Sequence, residues 1–198
     1  RIVEETKNLQ TLQVEPDSPE ALATLPRLEL SDLGLDVPRF PIEVKNESSP
    51  KLLYHDLFTN RIGYVQVGFN TESVSLEEIQ YLPLLGKLVL EMGSRRHDYV
   101  KLMQKMGIHT GGIRASHFSS LTLEDRDRIL SYIFFNGKTT LDKVEELFDL
   151  YVEFLTEYEF NNPRRLVEIL RSEKADMESS LVPSGNHYIS LRLQSYGS

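Results

Sequence analysis

The chain contains no cysteine. That excludes disulfides and thiolate-ligated metals and suits a reducing compartment. No apolar run approaches the ~20 residues that span a bilayer, so no membrane partner is expected. No signal peptide is visible at its start, and the first residue, Arg1, predicts a processed chain or a fragment. Concentrated positive charge is also missing. There are 22 basic against 30 acidic residues, net −8, and the densest basic groups are only Arg95-Arg96-His97 and Arg164-Arg165. A polyanion-binding protein carries a basic face, so the composition argues against nucleic acid as a partner. An acidic field attracts basic peptides, but the net charge is more simply read as plain solubility.

Complete catalytic motifs are absent as well. The five histidines are His55, His97, His109, His117 and His187, and no two stand three or four apart. No helix therefore offers two imidazoles to one metal. His109 and His117 are an even number apart on an expected strand. They share a face only if Gly111-Gly112 keeps the register, and at about 3.3 Å per residue they remain far apart. There is no Gly-x-Ser-x-Gly elbow, and Ser119-Ser120 and Ser179-Ser180 read as turn and helix-end residues. Neither Gly93-Ser94 nor Gly111-Gly112 is followed by the Gly-Lys-Ser/Thr of a phosphate loop. The carboxylate pairs Glu77-Glu78, Glu124-Asp125 and Glu145-Glu146 read as helix-start charge, turn residues and solvated faces.

What is present is an ordinary globular composition, 40% hydrophobic and 26% charged over 198 residues. A chain of this size buries roughly 70% of its unfolded surface. Residues 1–50 read as an arm. Leu9, Leu12 and Val14 give it a weak apolar pattern, and Asp17-Ser18-Pro19-Glu20 opens a short helix that Pro26 stops. The stretch from Pro26 to Pro50, with four prolines, predicts an extended linker. The compact unit is expected over 51–198. Leu52–Phe58 and Arg61–Phe69, joined by Thr59-Asn60, predict a β-hairpin.

The capping box Ser75-Leu76-Glu77-Glu78 opens a helix that buries Leu82, Leu85, Val89 and Met92. Pro83 should kink or split it, and Gly93 should end it. A second helix, His97–Met106, should stop at Gly107. Strands follow over Ile108–Phe118, with the glycine pair inside, and over Arg128–Phe135. The last third predicts three helices. The first has a stripe through Leu141, Val144, Leu147, Phe148, Tyr151, Val152 and Leu155. The second is capped by Asn162-Pro163 and turns Leu166, Ile169 and Leu170 inward. The third spans His187–Tyr196. The order implies an α+β fold, an antiparallel sheet covered on one face by helices.

Several stretches carry a family likeness: Tyr81-Leu82-Pro83-Leu84-Leu85, Leu90-Glu91-Met92-Gly93-Ser94 and Thr110-Gly111-Gly112-Ile113. Leu25-Pro26-Arg27-Leu28 with Ser31-Asp32-Leu33, Tyr54-His55-Asp56-Leu57-Phe58-Thr59-Asn60 and Ser184-Gly185-Asn186-His187-Tyr188 extend it over nearly the whole chain. Together they resemble the pitrilysin/insulinase class of zinc metallopeptidases, in its presequence-protease subfamily.

The resemblance implies four similar domains in two halves that close around an unfolded peptide. Zinc is held only by the first domain, through the inverted motif H-x-x-E-H and a later glutamate. It further implies that this chain is the end of the helical linker plus a non-catalytic third domain running on past Ser198. Its partners would be the other domains of the same chain and unfolded peptides such as targeting peptides. The compartment would be the bacterial cytoplasm, the mitochondrial matrix or the plastid stroma.

Aligned on Gly93-Ser94, the positions of His, Glu and His in the active repeat fall on Leu84, Lys87 and Leu88. No catalytic residue carries over, and the segment itself is expected to be inactive and metal-free. Leucines there would extend the core, worth about 1.5–3 kcal/mol each if fully buried. The competing expectations are a catalytically dead peptidase-fold scaffold or interaction subunit, and an independent hydrolase built on His109 and His117.

Overall fold

A computed structural model describes residues 1–34, 39–45, 50–125 and 127–196. The stretches 35–38 and 46–49, both within the expected linker, lie outside the described residues. The chain divides into Arg1–Leu57 and Phe58–Ser198.

In the first unit, helix α1 spans Ile2–Val14 and α2 spans Pro19–Ala23. Ser18 caps α2 as its sequence predicts, its hydroxyl accepting from Ala21 N at 3.2 Å, with proline in the first turn. Strand β1, Glu43–Lys45, pairs antiparallel with β2, Leu52–Tyr54, setting Val44 opposite Leu53. The expected hairpin between Leu52–Phe58 and Arg61–Phe69 is therefore not formed. The three residues of β2 pair backwards, with part of the stretch read as linker. Asn60 and Arg61 turn the chain instead, with φ of 50° and 63°.

The second unit holds β3 (Ile62–Asn70), α3 (Leu82–Glu91), α4 (Tyr99–His109), β4 (Ile113–Leu121), β5 (Ile129–Thr140), α5 (Val144–Thr156), α6 (Pro163–Ser180) and α7 (Gly185–Gln194). The sheet order is β3-β5-β4, antiparallel throughout. β5 sits at the centre because its twelve residues alternate strongly. Ile133, Phe135, Gly137 and Thr139 are buried, while Lys138 and Thr140 are exposed. Across β5, Phe135 faces Val67 on one side and Ala115 on the other.

The buried face packs under the helices. Val89 and Leu90 of α3, Leu102 of α4 and Leu147, Leu150, Tyr151 and Phe154 of α5 complete one core with Ile113, Ile133 and Phe135. This is the α+β arrangement expected, with helices on one sheet face. Gly86 lets α3 approach the sheet closely: a Cβ there would lie 2.6 Å from that of Ala115.

Local signals hold where they depend on neighbouring residues. Ser75 Oγ accepts from Glu78 N at 3.3 Å and donates to Glu78 Oε2 at 2.8 Å, so the carboxylate takes the hydroxyl in place of the backbone N–H of a capping box, and a tight 3-10 turn follows at Ile79–Tyr81. Pro83 splits the segment, taking its favoured place in the first turn of α3. Gly93, φ 99°, follows the end of that helix.

Three expectations change. Helix α4 runs through Gly107 to His109, where Thr110 Oγ1 donates to Met106 O at 2.7 Å and closes the end. The glycine pair stands before β4 rather than inside a strand, Gly112 making the turn at φ 103°. On α5 the buried stripe runs through Leu147, Leu150, Tyr151 and Phe154, leaving Phe148 and Val152 about half exposed.

Candidate functional site

Helix α3 presents Leu84, Lys87 and Leu88 on one side, as residues three and four apart must be. All three are half-buried, so the leucines add less to the core than full burial would. Lys87 does not point at an open cleft. Its ammonium pairs with Glu173 on α6 and stands 3.9 Å from Glu91 Oε1. On α6, Arg165, Ile169 and Glu173 follow at four-residue steps and share one face. Ile169 is buried.

Arg165 grips the same region of α3. Its Nε donates to Glu91 O at 3.1 Å, and its Nη2 stands 3.2 Å from Glu91 Oε2. Its guanidinium lies 4.4 Å from the ring centre of Tyr99, joining α4 to the network.

The chemistry of this cluster is that of a tether. The hydrogen bond to Glu173 raises the Lys87 pKa above the ordinary lysine value, against the opposing effect of burial, and Glu91, Glu173 and Asp176 add to it. A general base at neutral pH needs a lowered amine pKa, so Lys87 is unsuited to that role. Leucine has no lone pair for a metal, and an ammonium whose pKa is raised repels one. The residues at these positions do not fit zinc. Among the described residues, no group of three or more His, Asp and Glu side chains converges to hold a metal ion.

The histidines are separated by the fold. His55 Nδ1 lies 2.8 Å from Pro41 O in the first unit. His109 ends α4, while His117 lies on β4 opposite Ile133, so the two never share a strand face. Burial pushes the His117 pKa down. His109 Nδ1 is enclosed without a hydrogen-bond partner among the described residues.

A second cluster escaped sequence reading. Glu153 of α5 has a side chain only 1% exposed. Its Oε1 accepts from Ser94 Oγ at 2.6 Å and lies 2.7 Å from His97 Nδ1, and Lys105 Nζ stands 3.6 Å from Oε2. Burial pushes this carboxyl up, but the hydrogen bonds from Ser94 and His97 and the charges of His97 and Lys105 outweigh it and hold it below the usual glutamate range.

Serine, histidine and carboxylate are all present, yet both side chains address the carboxylate and not each other. A nucleophile needs its hydroxyl on the imidazole. Ser94 Oγ instead accepts from the backbone N–H groups of Arg96 and His97, at 3.1 and 3.0 Å. The cluster locks the α3–α4 turn onto α5. Its one sequence signal was a charged residue inside the apolar stripe of α5, three positions from Leu150.

Comparison with known proteins gives this geometry its context. The peptidase M-16C associated family matches residues 1–198. Presequence protease 1, chloroplastic/mitochondrial, of Arabidopsis thaliana is 34% identical over 188 residues, which are 95% of this chain and 17% of that protein. Protein HypA of Clostridium perfringens is 29% identical, over 98% of this chain and 20% of its own length. The mitochondrial presequence protease of Danio rerio is 24% identical, over 94% and 18%. The chain thus spans about one-fifth of the length of the curated relatives it matches. No helix among its described residues is long and apolar enough to cross a membrane. The chain belongs to the peptidase M-16C associated family, as a presequence-protease-like, peptidase-associated segment of the pitrilysin class.

Proposed function

We propose that this chain is a non-catalytic part of a zinc metalloendopeptidase that degrades short unfolded peptides, targeting peptides among them. Residues 1–50 act as the end of a helical linker and 51–198 as a peptidase-like domain forming part of the wall of a closed substrate chamber. Zinc is held by another domain of the same chain. The compartment is the mitochondrial matrix, the plastid stroma or the bacterial cytoplasm. The observation that carries this reading is the state of the motif helix. The Lys87 ammonium is committed to Glu173, and Leu84 and Leu88 beside it offer no metal ligand, which supports reading the three as degenerate metal-motif positions.

In this reading the segment acts through shape. A tethered α3 and a rigid sheet bound a space that admits extended peptides and excludes folded proteins. The test compares this 198-residue segment with its full-length parent by metal analysis and peptide cleavage. The segment alone is expected to retain no stoichiometric zinc and to cleave nothing, and the parent to do both. Stoichiometric zinc on the segment, or a parent without peptidase activity, would overturn the proposal, the latter in favour of a scaffold.

A further inference from the structure

The sheet face turned away from the helices changes character along its length. At one end it is aromatic: Tyr132 stacks on Phe134 at 5.7 Å and Phe118 meets Phe134 edge-on at 6.3 Å. Towards the other end a row of side-chain amides crosses the strands. Gln66 Nε2 donates to Asn136 Oδ1 at 2.7 Å, and Asn136 Nδ2 donates to Ser116 Oγ at 2.8 Å. Beyond this row a groove of about 380 Å³ opens, and no Asp or Glu among the described residues lines it.

Among the described residues, the charges lining the groove are Arg114 and Lys138. Arg114 stands opposite Asn136, so Lys138, two residues on, is its diagonal neighbour on the same face, about 7–8 Å away. Neither takes part in an ion pair among the described residues. The stem of Lys138 lies against Gly111, where a Cβ would come within 2.9 Å of it, and Gly111 N donates to Lys138 O at 2.7 Å. In a chain of net charge −8, a groove with two uncompensated cations calls for an anion.

We infer that this groove binds the C-terminal carboxylate of an extended peptide lying along the open sheet face. The inference rests on the chamber reading above and names a subsite within it. A guanidinium fork pairs with a carboxylate through two hydrogen bonds, and the ammonium adds a point charge. The cations stand only at one end of the face, next to the Gly111-Gly112 turn that closes it. A peptide that stops there places its terminus on them. Its preceding backbone groups meet the amides of Gln66 and Asn136, and its side chains reach the aromatic half.

The experiment uses the full-length parent and three forms of one fluorescent peptide: free C-terminus, C-terminal amide, and amide with an Asp added near the end. Binding is followed by anisotropy and cleavage by KM and kcat. The free acid is expected to bind about tenfold tighter than the amide, with the difference in KM rather than kcat. In a variant carrying both Arg114→Gln and Lys138→Gln, that difference should collapse. Equal binding of acid and amide by the unaltered parent overturns the inference, as does a variant that weakens both forms alike. Rescue of the amide by the internal Asp reassigns the groove to acidic side chains and overturns the choice of a terminus. A parent that binds the free acid selectively but cleaves no peptide sinks the chamber reading and leaves the groove standing.

Discussion

Arg1–Leu57, which holds six of the nine prolines and two of the eighteen aromatic residues, and Phe58–Ser198 end in opposite physical states. No described side chain of the first unit is buried, not even Leu12 or Val14 on α1, which stay 70% and 81% exposed. The second unit puts Leu102, Leu147 and Phe154 at 0%. An isolated helix of thirteen residues is marginal in water, so α1 owes little to its own contacts. The lesson concerns where stability resides: regular hydrogen bonding occurs in both units, while the enclosed apolar surface belongs to one.

Matched substitutions sharpen the contrast. Leu102→Ala should destabilise this chain by about 3 kcal/mol, as loss of a fully enclosed leucine does, measured by urea unfolding. Glu153→Gln should cost about 2–3 kcal/mol, because a buried network loses the carboxylate charge that Ser94, His97 and Lys105 address. This effect has a pH signature. The folded carboxyl is held below its ordinary value, so its stabilisation is complete above about pH 4.3 and fades as pH falls through the lowered folded value. The gap between variant and parent should therefore close in acid, and a gap constant from about pH 7 down to unfolding would refute the assigned network.

Lys87→Ala should cost about 1 kcal/mol, since the pair is partly exposed and screened. A double-mutant cycle with Glu173→Gln should show the two effects to be non-additive. Leu12→Ala, the smallest, should stay within about 0.5 kcal/mol. A loss from Leu12→Ala as large as that from Leu102→Ala would break the contrast between the units.

The same division explains what could be read from the residues alone. Ser18-Pro19, Asn162-Pro163 and Gly93 announced their helix ends because a cap is chemistry between neighbours. Asn162 indeed accepts from Arg165 N at 3.1 Å. The strand over 62–70 was visible in its alternation, but its partner was not. β3 pairs with β5, some seventy residues on, with Gln66 opposite Asn136, and nothing local distinguishes that partner from β2. The positions Leu84, Lys87 and Leu88 were named by resemblance. What Lys87 does instead was invisible, because Glu173 lies 86 residues away. Glu153 was missed for a related reason: a carboxylate in an apolar stripe looks like an interruption until Ser94 and His97 come round to meet it.

The Lys87–Glu173 tether has one more consequence. A crossing of two helices held by a divalent ion is only as durable as the supply of that ion, and a chelator undoes it. Here the cation is encoded in the polypeptide. The α3–α6 crossing should therefore withstand metal starvation and respond to ionic strength instead, so chelator and salt become separate handles on one molecule.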